Sequence, residues 1–267
     1  LGDDESNFGI INNQQGDPFS ALTEKLINSM DAILVGECLK RGIDPESPAA
    51  PSSIREAIAR FFEGHAGPLG DSDGRVELWE DKAFISSMAK RIYLVASGER
   101  KSPNLQVVDD GEGQSPLDFP ATFMSIQRAN KAKIQFVQGK WNMGGTGVFT
   151  FCGDPHNFQV LFSKRDPKLL SADAPSDDHN WGFTVVRKRP PREMERRAVF
   201  EYLAPGGLEQ GKGEVLQCDH DQLPILPVES PPALYKGQAG HGTLVKMVDY
   251  KWNSSEASRS SVLVGKG

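Results

Sequence analysis

The stretch from Asp17 to Gly42 most constrains how this chain folds, because it carries a start signal, a helical apolar pattern and a stop signal. Asp17 ahead of Pro18 suits an N-cap with proline in the first turn; the spacing predicts a helix to roughly Leu39, with Gly42 ending it. Within it Glu24, Asn28 and Asp31 stand four and three apart, so they share one face. Ala21, Leu22, Leu26, Ile27, Met30 and Ile33 supply apolar surface around that polar stripe. Taken alone, such a stripe is an ordinary solvated face.

The 267 residues suffice for one large domain or two small ones with a full core. A formal charge of -6 argues against binding nucleic acid through bulk charge, although a local basic patch stays open. The sequence has no apolar run long enough for a bilayer and no secretory leader pattern, so no membrane partner is expected, and its widely spaced cysteines favour a reducing cytoplasm. Cys38, Cys152 and Cys218 are widely spaced, which favours free thiols over a disulfide framework or a zinc site. Cys218-Asp219-His220-Asp221 is expected to be a solvated turn, because adjacent residues rarely converge on one ion. Leu1 is not a methionine, and the chain is expected to be a piece of something longer.

Residues 1–16 are acidic and then rich in Asn, Gln and Gly around Phe8, Ile10 and Ile11, as in an arm that packs on something, a second subunit included. After a proline-rich stretch at 42–52, Ser53 is expected to cap a helix from Ile54 to Glu63. A third helix is expected from about Leu78 to Ala96, where Leu78, Ile85, Met88, Ile92 and Val95 form one band, with Gly98 ending it. Leu105 to Val108 is expected as a strand, and strand-like runs follow at Phe158–Ser163, Trp181–Arg187, Val199–Tyr202 and 241–248. Helices early and strands late predict an α+β fold, a two-layer sandwich of helices on a mixed, mainly antiparallel sheet.

Four motifs stand in order. The acid-Asn-Asp helix comes first. Asp109-Asp110-Gly111-Glu112-Gly113 follows a strand, Gly144-Gly145-Thr146-Gly147 forms a glycine cluster, and Gly242-Thr243 opens a late strand. Each alone fits a plain turn or loop. Together they resemble the four-box arrangement of the GHKL ATPases, the group of gyrase, the large heat-shock chaperone, histidine kinases and MutL, over roughly residues 17–250.

The resemblance implies the Bergerat fold, ATP with Mg²⁺, and a role for each box. Glu24 matches the general base that orients water. Asn28 matches the Mg²⁺ ligand, since magnesium keeps several waters and needs few protein oxygens. Asp31 would line the nucleotide pocket one turn on. Asp109 matches the acceptor of the adenine amino group, with Thr243 as its partner. Gly111 and Gly113 would let the backbone turn and the base approach. Gly144, Gly145, Thr146 and Gly147 match the phosphate loop, where backbone amides cradle the anion. This box departs from the family's Gly-x-x-Gly-x-Gly, because Asn142 stands where its first glycine would be. Residues 114–143 would form a lid, with Lys131, Lys133 and Lys140 as phosphate contacts or as lid surface.

A histidine kinase is not expected, because no helix pair with a phosphoacceptor histidine leads into residue 17. About residues 155–240 form a long insertion relative to the family, and 251–267 a tail leading towards a downstream region. Arg187, Lys188, Arg189, Arg192, Arg196 and Arg197 gather within 187–197, as a solvated edge or as a patch for nucleic acid or a protein client. The resemblance implies an ATPase module that closes its lid and forms a homodimer with ATP; the unfamiliar insertion prompts a guess at stress response or phage defence. The alternative is a nucleotide-dependent binding switch with negligible hydrolysis.

Overall fold

The computed structural model describes residues 17–62, 73–123, 131–139, 147–191, 193, 199–205, 214–225 and 237–251. The arm at 1–16, the tail beyond 251, Lys140 and Gly144, Gly145 and Thr146 lie outside these residues. Helix α1 runs Pro18–Lys40, and the Asp17 carboxylate accepts the Ser20 N–H at 2.8 Å. Its apolar residues serve two sides. Ala21 and Leu22 pack on the sheet with Leu105, Val107 and Met247, while Leu34, Val35 and Cys38 pack on Ala57, Phe61 and Phe136. Burial on both sides leaves only a narrow polar stripe.

Helix α2, Ile54–Phe61, starts at Ser53, whose Oγ accepts the Glu56 N–H at 3.2 Å. The Glu56 carboxylate in turn accepts the Ser52 N–H at 2.9 Å, so donors at the helix start are satisfied from both directions.

The third helix departs from expectation. Helix α3 covers only Lys82–Ala89, capped by Asp81, and Ile92–Glu99 forms strand β1. Ile92-Tyr93-Leu94-Val95 is a β-branched and aromatic run that pairs, antiparallel and in full register, with β2 at Ser102–Asp109. The expected band holds for Ile85 and Met88 inside α3, whereas Ile92 and Val95 belong to a short continuous apolar run that fits either period.

The remaining strands are β3 (Gln159–Lys164), β4 (Trp181–Arg189), β5 (Val199–Tyr202), β6 (Leu216–Cys218), β7 (Leu223–Pro224), β8 (Gln238–Ala239) and β9 (Gly242–Met247). The main sheet has the order β1-β2-β9-β3-β4-β5, with β6 also on β4. Every pairing among the described residues is antiparallel, so the mixed sheet is corrected to an antiparallel one. The stretch expected as an insertion carries β3 to β8, and β3 lies beside β9 in the middle of the sheet.

One face of the sheet meets α1. The other packs Val108, Trp181 and Leu244 against Ile225, which follows β7, and Ala239 of β8. The α+β class holds, with a third, minor layer that the Gly- and Pro-rich sequence at 204–240 did not announce.

Candidate functional site

Strand β2 ends at Asp109, directly opposite Thr243 in the β2–β9 register. The two strands can meet so closely because Gly242 has φ +98° and no Cβ; one there would come within 2.0 Å of the Asp109 carbonyl oxygen. The Asp109 side chain is buried against α1. Its Oδ2 accepts the Ser29 hydroxyl at 2.8 Å, and its Oδ1 accepts the Gly111 N–H at 3.1 Å. Burial pushes this carboxyl up to about 7, against the pull of the Ser29 and Gly111 donors.

The turn after β2 is tied to α1. The Glu112 N–H donates to the Ala32 carbonyl at 3.1 Å. A Cβ on Gly111 would lie 2.6 Å from the Ala32 Cβ, and one on Gly113, at φ +61°, would lie 1.8 Å from the Lys164 carbonyl oxygen. Both glycines therefore make room for protein atoms, and the positive φ of Gly113 supplies the sharp turn expected of it. Thr243 is held from the other side by Ser163, with 3.0 Å between the two hydroxyl oxygens.

These groups border a cavity of about 430 Å³ whose wall includes Asn28, Ser29, Asp109, Gly113 and Thr243. Val107, Phe149, Leu161 and Val245 form its apolar part. The size and the few convergent polar groups suit a small organic ligand.

Other expected site residues lie elsewhere. Asp31 is 2% exposed and does not line the cavity. Its carboxylate accepts the N–H groups of Gln138 and Gly139, the latter at 2.8 Å, so its lone pairs are spent on holding that segment to α1. Glu24 is half-buried and also outside the cavity wall. Gly147 is buried at the start of a short 3₁₀ turn, Gly147–Phe151, and is not on the wall either. Lys131 lines the cavity, whereas Lys133 faces Glu46 at 3.5 Å.

Of the basic segment, Arg187 and Arg189 both pair with Glu201 across β4–β5, at 2.6 and 3.1 Å. Arg192, Arg196 and Arg197 lie outside the described residues. Among the described residues no group of three His, Cys, Asp or Glu side chains could hold a metal, and no helix is long and apolar enough to cross a membrane.

Sequence reasoning missed Ser29 and Lys25. Both sit one turn apart on the helix face toward the sheet, and both line the cavity. Polar residues in line with Ala21, Leu22 and Ala32 were the available signal. A scan against protein-family models gives no match, and a search of curated proteins gives none either.

Proposed function

We propose that this chain is an ATP-binding, Mg²⁺-dependent ATP-hydrolysing domain of GHKL type with a Bergerat fold. The observation that carries the reading is the buried Asp109 carboxylate, set opposite Thr243 on the wall of a 430 Å³ cavity that also exposes Asn28. An acceptor and a hydroxyl side by side, in an apolar slot, match an exocyclic amino group and the neighbouring ring edge of adenine. A guanine would turn its carbonyl oxygen toward Asp109 and be rejected.

The donor chemistry fits magnesium. Asn28 lines the cavity with its amide oxygen lying toward Gly139, and magnesium would need little more from protein than that hard oxygen when phosphates and waters fill its other positions. Bound there, the ion would neutralise charge on the phosphates. Lys131, which also lines the cavity, would add a second positive charge. Lid closure over 114–143, homodimerisation with ATP and a client or nucleic acid on 187–197 belong to the same reading.

A second reading, a binding switch with negligible hydrolysis, draws on Glu24, which stands off the cavity wall. Calorimetry with ATP and Mg²⁺, paired with phosphate release, separates the two. Asp109→Asn is expected to weaken ATP binding about tenfold or more, while Glu24→Ala keeps binding and loses turnover. Tight binding by Asp109→Asn would sink the adenine assignment. Binding without turnover in the wild type would select the switch.

A further inference from the structure

The cavity holds one group that this reading leaves unused. Lys25 is 9% exposed and lines the cavity, and among the described residues it makes no hydrogen bond and no ion pair. A buried ammonium with no acceptor among the described residues is a costly group for a fold to keep. Its neighbours do not relieve it. Cys152 is fully buried, with its thiol pushed up to about 12 by burial, so it stays neutral and cannot act as a counter-ion. Glu24, the next residue, adds only a long-range attraction. Burial accordingly lowers the Lys25 ammonium to about 8, which leaves it mostly charged at neutral pH.

Its position says which part of a ligand it meets. Lys25 and Ser29 are one turn apart on the same face, and Ser29 donates to Asp109. Asn28 and Asp31 turn instead toward Gln138 and Gly139: a Cβ on Gly139 would come 2.6 Å from the Asn28 Oδ1. Lys25 therefore lines the same sheet-facing side of α1 that meets Asp109 through Ser29, one turn further toward Cys152 and Gln159. A phosphate there would be held by one ammonium among apolar side chains, with too few donors for its oxygens. A neutral heterocycle needs a single donor at a ring nitrogen.

We infer that Lys25 is a base-recognition residue whose ammonium donates to a ring nitrogen of the bound purine, while Asp109 takes the amino group. This rests on the nucleotide reading and adds a contact to it. The pair gives the slot one acceptor and one strong donor, so it reads two edges of the base at once.

The test is calorimetry of ATP and of 1-deaza-, 3-deaza- and 7-deaza-ATP, with wild type and Lys25→Met. The substitution removes a buried charge while keeping the volume, and its melting temperature is expected to rise. ATP affinity is expected to fall about tenfold in Lys25→Met. One deaza nucleotide is expected to lose the same factor on the wild type and nothing further on the variant. Unchanged ATP affinity in Lys25→Met would overturn the inference while leaving the nucleotide reading standing. So would a loss that all three analogues suffer in full on top of their own, because that pattern places Lys25 on the phosphates. A wild type that binds none of the four would remove the nucleotide reading and this contact with it.

Discussion

Gly111 shows how little room a single position has. Its backbone passes so near α1 that a methyl group would meet the Ala32 Cβ at 2.6 Å and the Ala32 carbonyl carbon at 2.8 Å. Gly111→Ala should cost about 2 kcal/mol through overpacking, and Ala32→Gly should return part of it by removing the nearer clash. Denaturant melts of both singles and the double measure that coupling; strict additivity would place the strain elsewhere. Asp109 beside it makes the opposite argument. Its folded acidity lies near 7 against an ordinary 3.8, which at about 1.4 kcal/mol per tenfold amounts to about 4 kcal/mol. Because the folded value is raised, the stability it contributes is present below pH 4 and lost as pH climbs through about 7. Asp109→Asn keeps the shape and removes the charge. It should therefore stabilise by about 2–4 kcal/mol at pH 8 and by little at pH 4. Urea melts at the two pH values check this, and an equal gain at both would show that the charge is not the cause.

At the scale of elements, Asp31 is the joint between α1 and the segment at 131–139. Its two carboxylate oxygens take the Gln138 and Gly139 amides from a position 2% exposed. Asp31→Ala leaves those amides without acceptors and should cost about 3 kcal/mol. Hydrogen exchange at Gln138 and Gly139 should then quicken well before exchange in β2 and β9, and uniform quickening would mean that the joint is not local. This joint was half legible. The spacing of Glu24, Asn28 and Asp31 showed a shared face, but not that its partner would be backbone amides over 100 residues away. Helices α1 and α2 were legible to within a turn, because Asp17 and Ser53 are caps whose chemistry is local. Strand β1 was not, because its pairing with β2 overrides a run that fits either period. The register that sets Asp109 against Thr243 follows from the sheet order. Spacing along the chain cannot show it. Lys25 and Ser29 were hidden for a related reason: their partner is a strand end, and only the packed helix reveals which face meets it.

For the molecule as a whole, the cavity concentrates two buried charges of opposite sign in a fold whose total stability is of the order of 5–15 kcal/mol. Asp109 is ionised above about pH 7 and Lys25 is charged below about pH 8, so the window in which both are charged is the neutral one. The signs follow from linkage. Asp109, raised, loses stability for the fold as pH rises from about 4 to 7. Lys25, lowered from 10.5 to about 8, costs about 3 kcal/mol while protonated, and that cost fades as pH rises from 8 to 10.5. Other groups bend the profile at its ends. Burial pushes Asp166 and Glu37 up, but bonds from Lys40 and Arg41 outweigh it, so both sit low and their stabilisation is lost only below about pH 4. Cys152 and Tyr250 are raised by burial and erode stability above pH 9. A comparison of wild type with the Lys25→Met, Asp109→Asn double variant cancels those outer groups. The variant's advantage should be largest between pH 7 and 8 and narrower at pH 4 and at pH 10, measured by urea unfolding across that range. A ligand that pairs with both charges relieves the same burden, so the rise in melting temperature on adding ATP and Mg²⁺ to the wild type should peak in the same window. An advantage that is flat with pH would show that these two buried charges are not what burdens the fold.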